Sequence, residues 1–366
     1  MAEIVRRGRM TSPQLPQLGV GRSCATPWKD AGERRQATEV HMRIGRRIPG
    51  TSQPGLPVDG EVVVFAPSLV LTVTIEQRAS GEPELHLHPG GQGLWVARMA
   101  AGLGAHVTLC SALGGETGMV LAGLLAREEI ELLSAASSGP NGAYVHDRRG
   151  GERRLLAEIP GAPPSRHELD DLYGKTLMAA LDRGTLVLTG SRDRLIASDV
   201  YRRLATDARD NGVSVVADLT GESLAGALAG GVTLLKISDE ALPREGLAGE
   251  GQEALRLAIA ELHRRGAQNV IVSRAEAGAL ALVDGALLEI VGPRLTPADY
   301  HGAGDSMTAA AAVGIARGLP AAEWLRLAAS AGAVNAARHG LGTGARAEIE
   351  HLVERVEVRP LSGTLI

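Results

Sequence analysis

Aromatic side chains are nearly absent, at 2% of 366 residues with a single Phe. A core must therefore rest on Ala, Leu, Val and Ile, and the stacking platforms that nucleic-acid bases use are scarce. Excess positive charge is missing as well: the formal net charge is −4, which gives no general attraction to polyanions. Nucleic acid is not expected as a partner. Cysteine is limited to Cys24 and Cys110, too few for a disulfide framework or a thiolate metal site. No apolar run reaches the roughly 20 residues a membrane-spanning helix requires, so no membrane partner is expected. Met1–Met10 is basic and lacks the apolar centre of a secretory signal. These absences leave a cytoplasmic soluble protein as the expectation.

What is present divides the chain unequally. Residues 1–58 carry the Arg pairs Arg6–Arg7, Arg34–Arg35 and Arg46–Arg47 among scattered Pro and Gly, with almost no apolar periodicity. Such a segment buries too little surface to offset its chain entropy, and is read as a basic, disordered extension. Residues 59–356 read as one folded domain and 357–366 as a C-terminal tail. Val62-Val63-Val64-Phe65 is a buried strand, followed by polar–apolar alternation through Thr72–Glu76 and Glu84–His88. Gly90-Gly91-Gln92-Gly93 opens a helix from Leu94 to Leu103. Tyr144–Asp147 and Arg153–Glu158 form a predicted hairpin through Arg149-Gly150-Gly151. From Leu186 strands alternate with helices up to two Ala-rich helices, Asp305–Arg317 and Ala321–His339. Repeated strand–helix units imply a parallel sheet between helices, with ligands at the C-terminal strand ends. The early alternating strands do not fit that pattern and point to a separate small sheet.

The sharpest local signal is His301-Gly302-Ala303-Gly304-Asp305-Ser306-Met307, placed directly before a helix. Two glycines around an alanine allow a tight turn whose N–H groups converge, and the helix adds its positive dipole end. Asp305 then has two readings: a proton acceptor for a hydroxyl that attacks phosphorus, or an N-cap after a Gly-rich loop. Other patterns carry less. Gly174-Lys175-Thr176 lacks the earlier glycine and preceding strand of a Walker A loop. His86 and His88 share a strand face without a third ligand nearby, which favours a solvated pair over a metal site. Arg153 and Arg154 could reach an anionic group, although a solvated hairpin face is the simpler account.

Gly302-Ala303-Gly304-Asp305-Ser306-Met307 resembles the C-terminal signature of the ribokinase-like (PfkB) carbohydrate kinase family. Gly90-Gly91-Gln92-Gly93-Leu94-Trp95-Val96-Ala97-Arg98 resembles its N-terminal Gly-Gly signature. Ala217-Asp218-Leu219-Thr220-Gly221-Glu222-Ser223-Leu224 is similar to a stretch of its 1-phosphofructokinase branch, and Lys236 and Gly342-Thr343-Gly344 fall in matching order. The resemblance covers about Val62 to Glu350. It implies a three-layer α/β/α core with a small β-sheet lid (strands about 72–88 and 144–158), ATP and magnesium as cofactors, and a sugar-like acceptor. It further implies Asp305 as base beside Gly302, Ala303 and Gly304. The acceptor would meet Gly90, Gly91, Gln92, Gly93, Trp95 and Val70, and the nucleotide Lys236, Ser273, Gly278 and Gly304. Glu240 would reach magnesium through water. Lid strands in this fold class often pair between subunits, which points to a homodimer through the lid.

Departures from the family pattern lie around the acceptor and the nucleotide. Val70 stands where the branch has an Asp that holds substrate hydroxyls, and Gln92 and Trp95 replace a Lys and an Asn. The magnesium-organising Asn-x-x-Glu reads Ser238-Asp239-Glu240-Ala241, and the ATP-loop Ser-Leu-Gly reads Ser273-Arg274-Ala275. Loss of a cation argues against an ordinary fructose phosphate, while a Trp face suits a ring. A kinase of heterocyclic alcohols is a further reading. The alternative from another class is a catalytically weak member that senses a metabolite; an intact Gly-Ala-Gly-Asp turn speaks for the enzyme.

Overall fold

The computed structural model describes residues 60–190, 195–248, 251–293, 295–298, 300–338 and 340–361. The basic extension read at 1–58 lies outside the described residues. The first strand, β1 (Glu61–Phe65), is followed by β2 (Val70–Gln77), β3 (Pro83–Gly90) and helix α1 (Gln92–Gly102). Next come β4 (His106–Gly114), α2 (Gly115–Leu125), β5 (Glu131–Ser137), β6 (Gly142–Asp147) and β7 (Arg154–Ile159). The alternating part runs α3 (Arg166–Arg183), β8 (Thr185–Thr189), α4 (Ser198–Asp210), β9 (Ser214–Asp218), α5 (Gly221–Gly230), β10 (Val232–Ser238), α6 (Gln252–Arg264) and β11 (Ala267–Ser273). It closes with β12 (Ala279–Val283), β13 (Ala286–Val291), α7 (Ala303–Ala316), α8 (Ala321–Ala336), α9 (Arg346–Val353) and β14 (Glu357–Pro360).

Among the described residues, ten strands form one sheet in the order β14-β13-β12-β11-β10-β9-β8-β1-β4-β5. Pairing is parallel from β5 to β11 and antiparallel beyond. Such a sheet must be covered on both faces, which explains why β1 is an unbroken apolar run. Val62 and Val64 belong to the core shared with α1, α7 and α8, while Val63 and Phe65 belong to the one shared with α3, α4 and α6. Phe65 sits edge-on to Tyr201, their ring centroids 5.6 Å apart. The period of two thus assigns alternate residues of one strand to two separate cores. The architecture is a three-layer α/β/α sandwich of the ribokinase-like type. On one side the scarcity of aromatics is met by Ala309–Ala312, all fully buried, which let α7 approach α8 closely.

A second sheet has the order β3-β2-β6-β7. Its register puts Val70, Thr72 and Thr74 beside Gly142, Tyr144 and His146 on one face. Leu71 and Val73 lie on the other, against the main core. The strand β7 is exposed along its length.

Some elements depart from the sequence reading, which has no counterpart for β5, α3 or α9. Residues 357–360 are not part of a tail: β14 pairs antiparallel with β13 and extends the main sheet. Its four residues are mostly exposed at the sheet edge, so the pattern lacks the alternation that marks a half-buried strand. The helix α3 leaves no apolar stripe to read, but its ends are written in the sequence. Ser165 and Glu168 form a reciprocal capping box, and Gly184 closes the helix in the left-handed conformation. No described helix is long and apolar enough to cross a membrane.

Candidate active site

The ends of β8, β9 and β10 and the starts of α1 and α7 converge on one place. Gly302 caps α7 with φ 79°, a left-handed conformation that glycine adopts without penalty. The turn is pinned from behind by Asn335 of α8, which is fully buried. Its Nδ2 donates to the His301 carbonyl at 2.8 Å, and its Oδ1 accepts from the Gly342 and Thr343 amides at 3.0 and 3.3 Å. Ala303 directs its N–H back to the Tyr300 carbonyl at 3.3 Å. Of the turn's amides, those of Gly304 and Asp305 are therefore the ones that a helix start leaves without an internal partner. They face the same end of the helix as its positive dipole.

Beneath this turn lies a buried charged cluster. Asp218, at the end of β9, and Lys236, in β10, are 9% and 6% exposed. Their charged groups stand 3.4 Å apart. Thr308, one turn after Asp305, donates its hydroxyl to Asp218 Oδ2 at 2.7 Å. A Cβ on Gly304 would overlap the Lys236 ammonium, so only glycine lets the lysine approach the helix start. Asp305 completes the cluster with a carboxyl pushed up to about 7, first by burial and then by the Asp218 charge. Lys236 and a hydrogen bond from Gln92 pull the other way. A carboxyl poised near neutrality is suited to taking a proton and giving it back.

The residues expected around the acceptor sit at the junction of the small sheet and α1. Val70 pairs with Gly90 and Gly142. Gly91 caps α1, and Gly93 packs so closely on Ala66 that any side chain there would collide. Gln92 stands at the first position of α1: its Oε1 accepts from the Gly190 amide at 3.1 Å, and its Nε2 donates to the Asp218 carbonyl at 3.4 Å. Trp95 is half-buried, and the loop at Gly342 rests on its backbone.

The residues expected around the nucleotide are more scattered. Lys236 lies in the buried cluster. Ser273 ends β11 opposite Ser238, and its hydroxyl approaches the Ile237 carbonyl at 3.5 Å. Gly278 is required by packing, since a Cβ would overlap the Ile290 carbonyl. Ala275 adopts φ 45°, the left-handed region that disfavours a side chain. Arg274 reaches Glu289 at 3.5 Å while its buried Nε has no partner. Glu240 is exposed. Among the described residues no group of three or more His, Cys, Asp or Glu is arranged to hold a metal ion.

Three residues of this site went unassigned in the sequence: Asp218, Thr308 and Asn335. Asp218 carried a readable signal, an acid ending an apolar strand just before a Gly-started helix. Thr308 and Asn335 carried none, because each acts on a partner remote in the chain.

Fold and cluster together define an α/β protein with an acid held at a helix start. The pfkB family carbohydrate kinase profile matches residues 60–348. The chain belongs to that family. It is 31% identical over 317 residues to ATP-dependent 6-phosphofructokinase isozyme 2 of Mycobacterium tuberculosis, covering 84% of this chain and 89% of that protein. It is 29% identical to 1-phosphofructokinase of Bacillus subtilis, covering 75% and 89%. The crystal structure of phosphofructokinase-2 from Escherichia coli in complex with fructose-6-phosphate superposes with a TM-score of 0.68 at 25% identity, covering 81% of this chain and 99% of that one. The relatives thus include 6-phosphofructokinases beside the 1-phosphofructokinase branch to which the motifs pointed.

Proposed function

We propose that the protein transfers the γ-phosphoryl group of ATP to a hydroxyl of a sugar phosphate or related small molecule, with Asp305 as base. The observation that carries this reading is a half-buried carboxyl, raised towards neutrality, beside the first-turn amides of α7. Asp305 accepts the hydroxyl proton as the acceptor oxygen bonds to the γ-phosphorus and the bond to the bridging oxygen of ADP breaks. The Gly304 and Asp305 amides stabilise charge on the transferring group, each such donor contributing roughly 3 kcal/mol in a transition state. The nucleotide lies along Ser273 and Gly278, with Lys236 beneath its reactive end. Magnesium would be held mainly by the nucleotide phosphates, with exposed Glu240 reaching it through water, and would neutralise charge on them. The small sheet closes over the acceptor and limits water as a competing nucleophile.

The names of the relatives support fructose phosphates as the acceptors to test first. Val70 and Trp95 support an altered choice among them. A metabolite sensor would have no use for a carboxylate held against burial and a second acid, which weighs against that alternative. The exposed Leu85, Leu155, Leu156 and Ile159 of the small sheet support a homodimer through it. Leu85→Lys is then expected to yield monomers in sedimentation. The test of function is ATP consumption across fructose 6-phosphate, fructose 1-phosphate, tagatose phosphates, free sugars and nucleosides. Turnover with none of them sinks the kinase reading.

A further inference from the structure

We propose that Thr308 is a positioning residue for Lys236: its hydroxyl holds the Asp218 carboxylate, which in turn holds the lysine ammonium at the start of α7. Thr308 is fully buried and stands four residues after Gly304, on the same face of the helix. Its Oγ1 lies 2.7 Å from Asp218 Oδ2 and 3.1 Å from the Gly304 carbonyl. A hydroxyl has one hydrogen, so only one of these oxygens receives it. Inside a helix a threonine commonly gives that hydrogen to the carbonyl one turn back. Here that carbonyl already takes the Thr308 N–H, while the contact to the carboxylate is shorter and assisted by charge. The hydrogen therefore goes to Asp218.

Asp218 Oδ2 is shared between two donors. It also meets Lys236 Nζ, at 3.4 Å, a loose ion pair between two buried residues. The ammonium reaches the first turn of α7, since a Cβ on Gly304 would overlap it. It carries three hydrogens, more than this one contact uses, beside the Gly304 and Asp305 amides. Without the Thr308 donor, Asp218 Oδ2 keeps one partner of two. A buried carboxylate short of a hydrogen bond closes on its cation, and that shift draws the ammonium away from the helix start. Thr308 thus keeps the pair loose enough for Lys236 to serve an anion at the turn. Every link in this chain is a contact between side chains or backbone of α7, β9 and β10.

The inference rests on the proposed placement of Lys236 beneath the reactive end of ATP, and its test separates the two. Binding of ADP and of β,γ-imido-ATP, each with magnesium, is measured by calorimetry on the full chain without acceptor. Thr308→Val, which keeps the shape and removes the donor, is expected to weaken the imido analogue about tenfold and ADP by less than about twofold. Thr308→Ser, which keeps the hydroxyl, should restore both. Should Thr308→Val not fold, Thr308→Ala removes the same donor without setting a methyl against the carboxylate. With the preferred acceptor, kcat at saturating ATP should fall about tenfold in Thr308→Val and return in Thr308→Ser, while KM for the acceptor stays within about twofold. A merely structural threonine would lower the melting temperature and leave the ratio of the two nucleotide affinities as in wild type, which overturns the proposal. A Thr308→Ser protein as impaired as Thr308→Val overturns it too. A wild type that binds neither nucleotide would instead remove the nucleotide reading, and this proposal with it.

Discussion

The central sheet and the small sheet are built from the same aliphatic side chains and put them to opposite uses. In the central sheet Val62 to Phe65 are wholly buried, each facing one of two cores. In the small sheet Leu85 is 61% exposed and Leu155 and Leu156 stand half in solvent. The strand ends of the first are over-determined by packing, and the Asp218–Lys236–Asp305 cluster hangs on those ends. The second leaves β7 exposed along its length; Val70 opens its strand β2, and Trp95 lies on α1 just beyond the end of β3. On the proposed reading, the reacting groups sit on the buried sheet and the acceptor contacts lie beside the exposed one.

The comparison breaks most readily at Lys236. Lys236→Met leaves the buried Asp218 without its cation, at a cost of about 3 kcal/mol in stability. Leu85→Ala in the small sheet should cost less than about 1 kcal/mol. Urea titration measures both, and equal losses would mean that the two sheets are held alike.

Asp305 sharpens it next. Its folded carboxyl titrates near 7, above the roughly 3.9 of an unfolded Asp. Below the unfolded value both states are protonated and nothing is lost. As pH rises towards 7 the unfolded chain releases its proton first, so folding grows less favourable. Asp305→Asn escapes this loss and should be more stable than wild type by about 2 kcal/mol at pH 8, allowing for water in the cleft. At pH 4 the gain should nearly vanish. Melting temperatures at the two pH values test this, and a gain that is independent of pH would show that the carboxyl is not perturbed.

The smallest expected effect is on the acceptor. Val70→Asp with Trp95→Asn places polar groups where the proposed acceptor would lie, and should shift catalytic efficiency between fructose phosphates and unphosphorylated acceptors by about tenfold. The melting temperature should barely move, because neither residue belongs to the two cores.

Much of this was legible in the residues themselves. Parallel strands covered on both faces must be apolar runs, so the strand–helix alternation showed directly. The turn at Gly302–Asp305 showed because its glycines are required by geometry. What stayed hidden was pairing at a distance: Thr308 donates to a carboxylate 90 residues earlier, and Asn335 ties a turn 34 residues before it. Periodicity reports a residue's own face and says nothing of the partner. The strand β14 was hidden by its exposure.

The central claim is that Asp305 takes the acceptor proton, and one comparison tests it most directly: the initial rate of phosphoryl transfer from ATP to the preferred acceptor, followed by 31P NMR, in wild type and Asp305→Asn. The substitution keeps size and hydrogen-bonding capacity at the helix start and removes only basicity. The account predicts a loss of about 100-fold or more in a variant that melts no lower than wild type. A folded Asp305→Asn protein that transfers phosphate at the wild-type rate would contradict it.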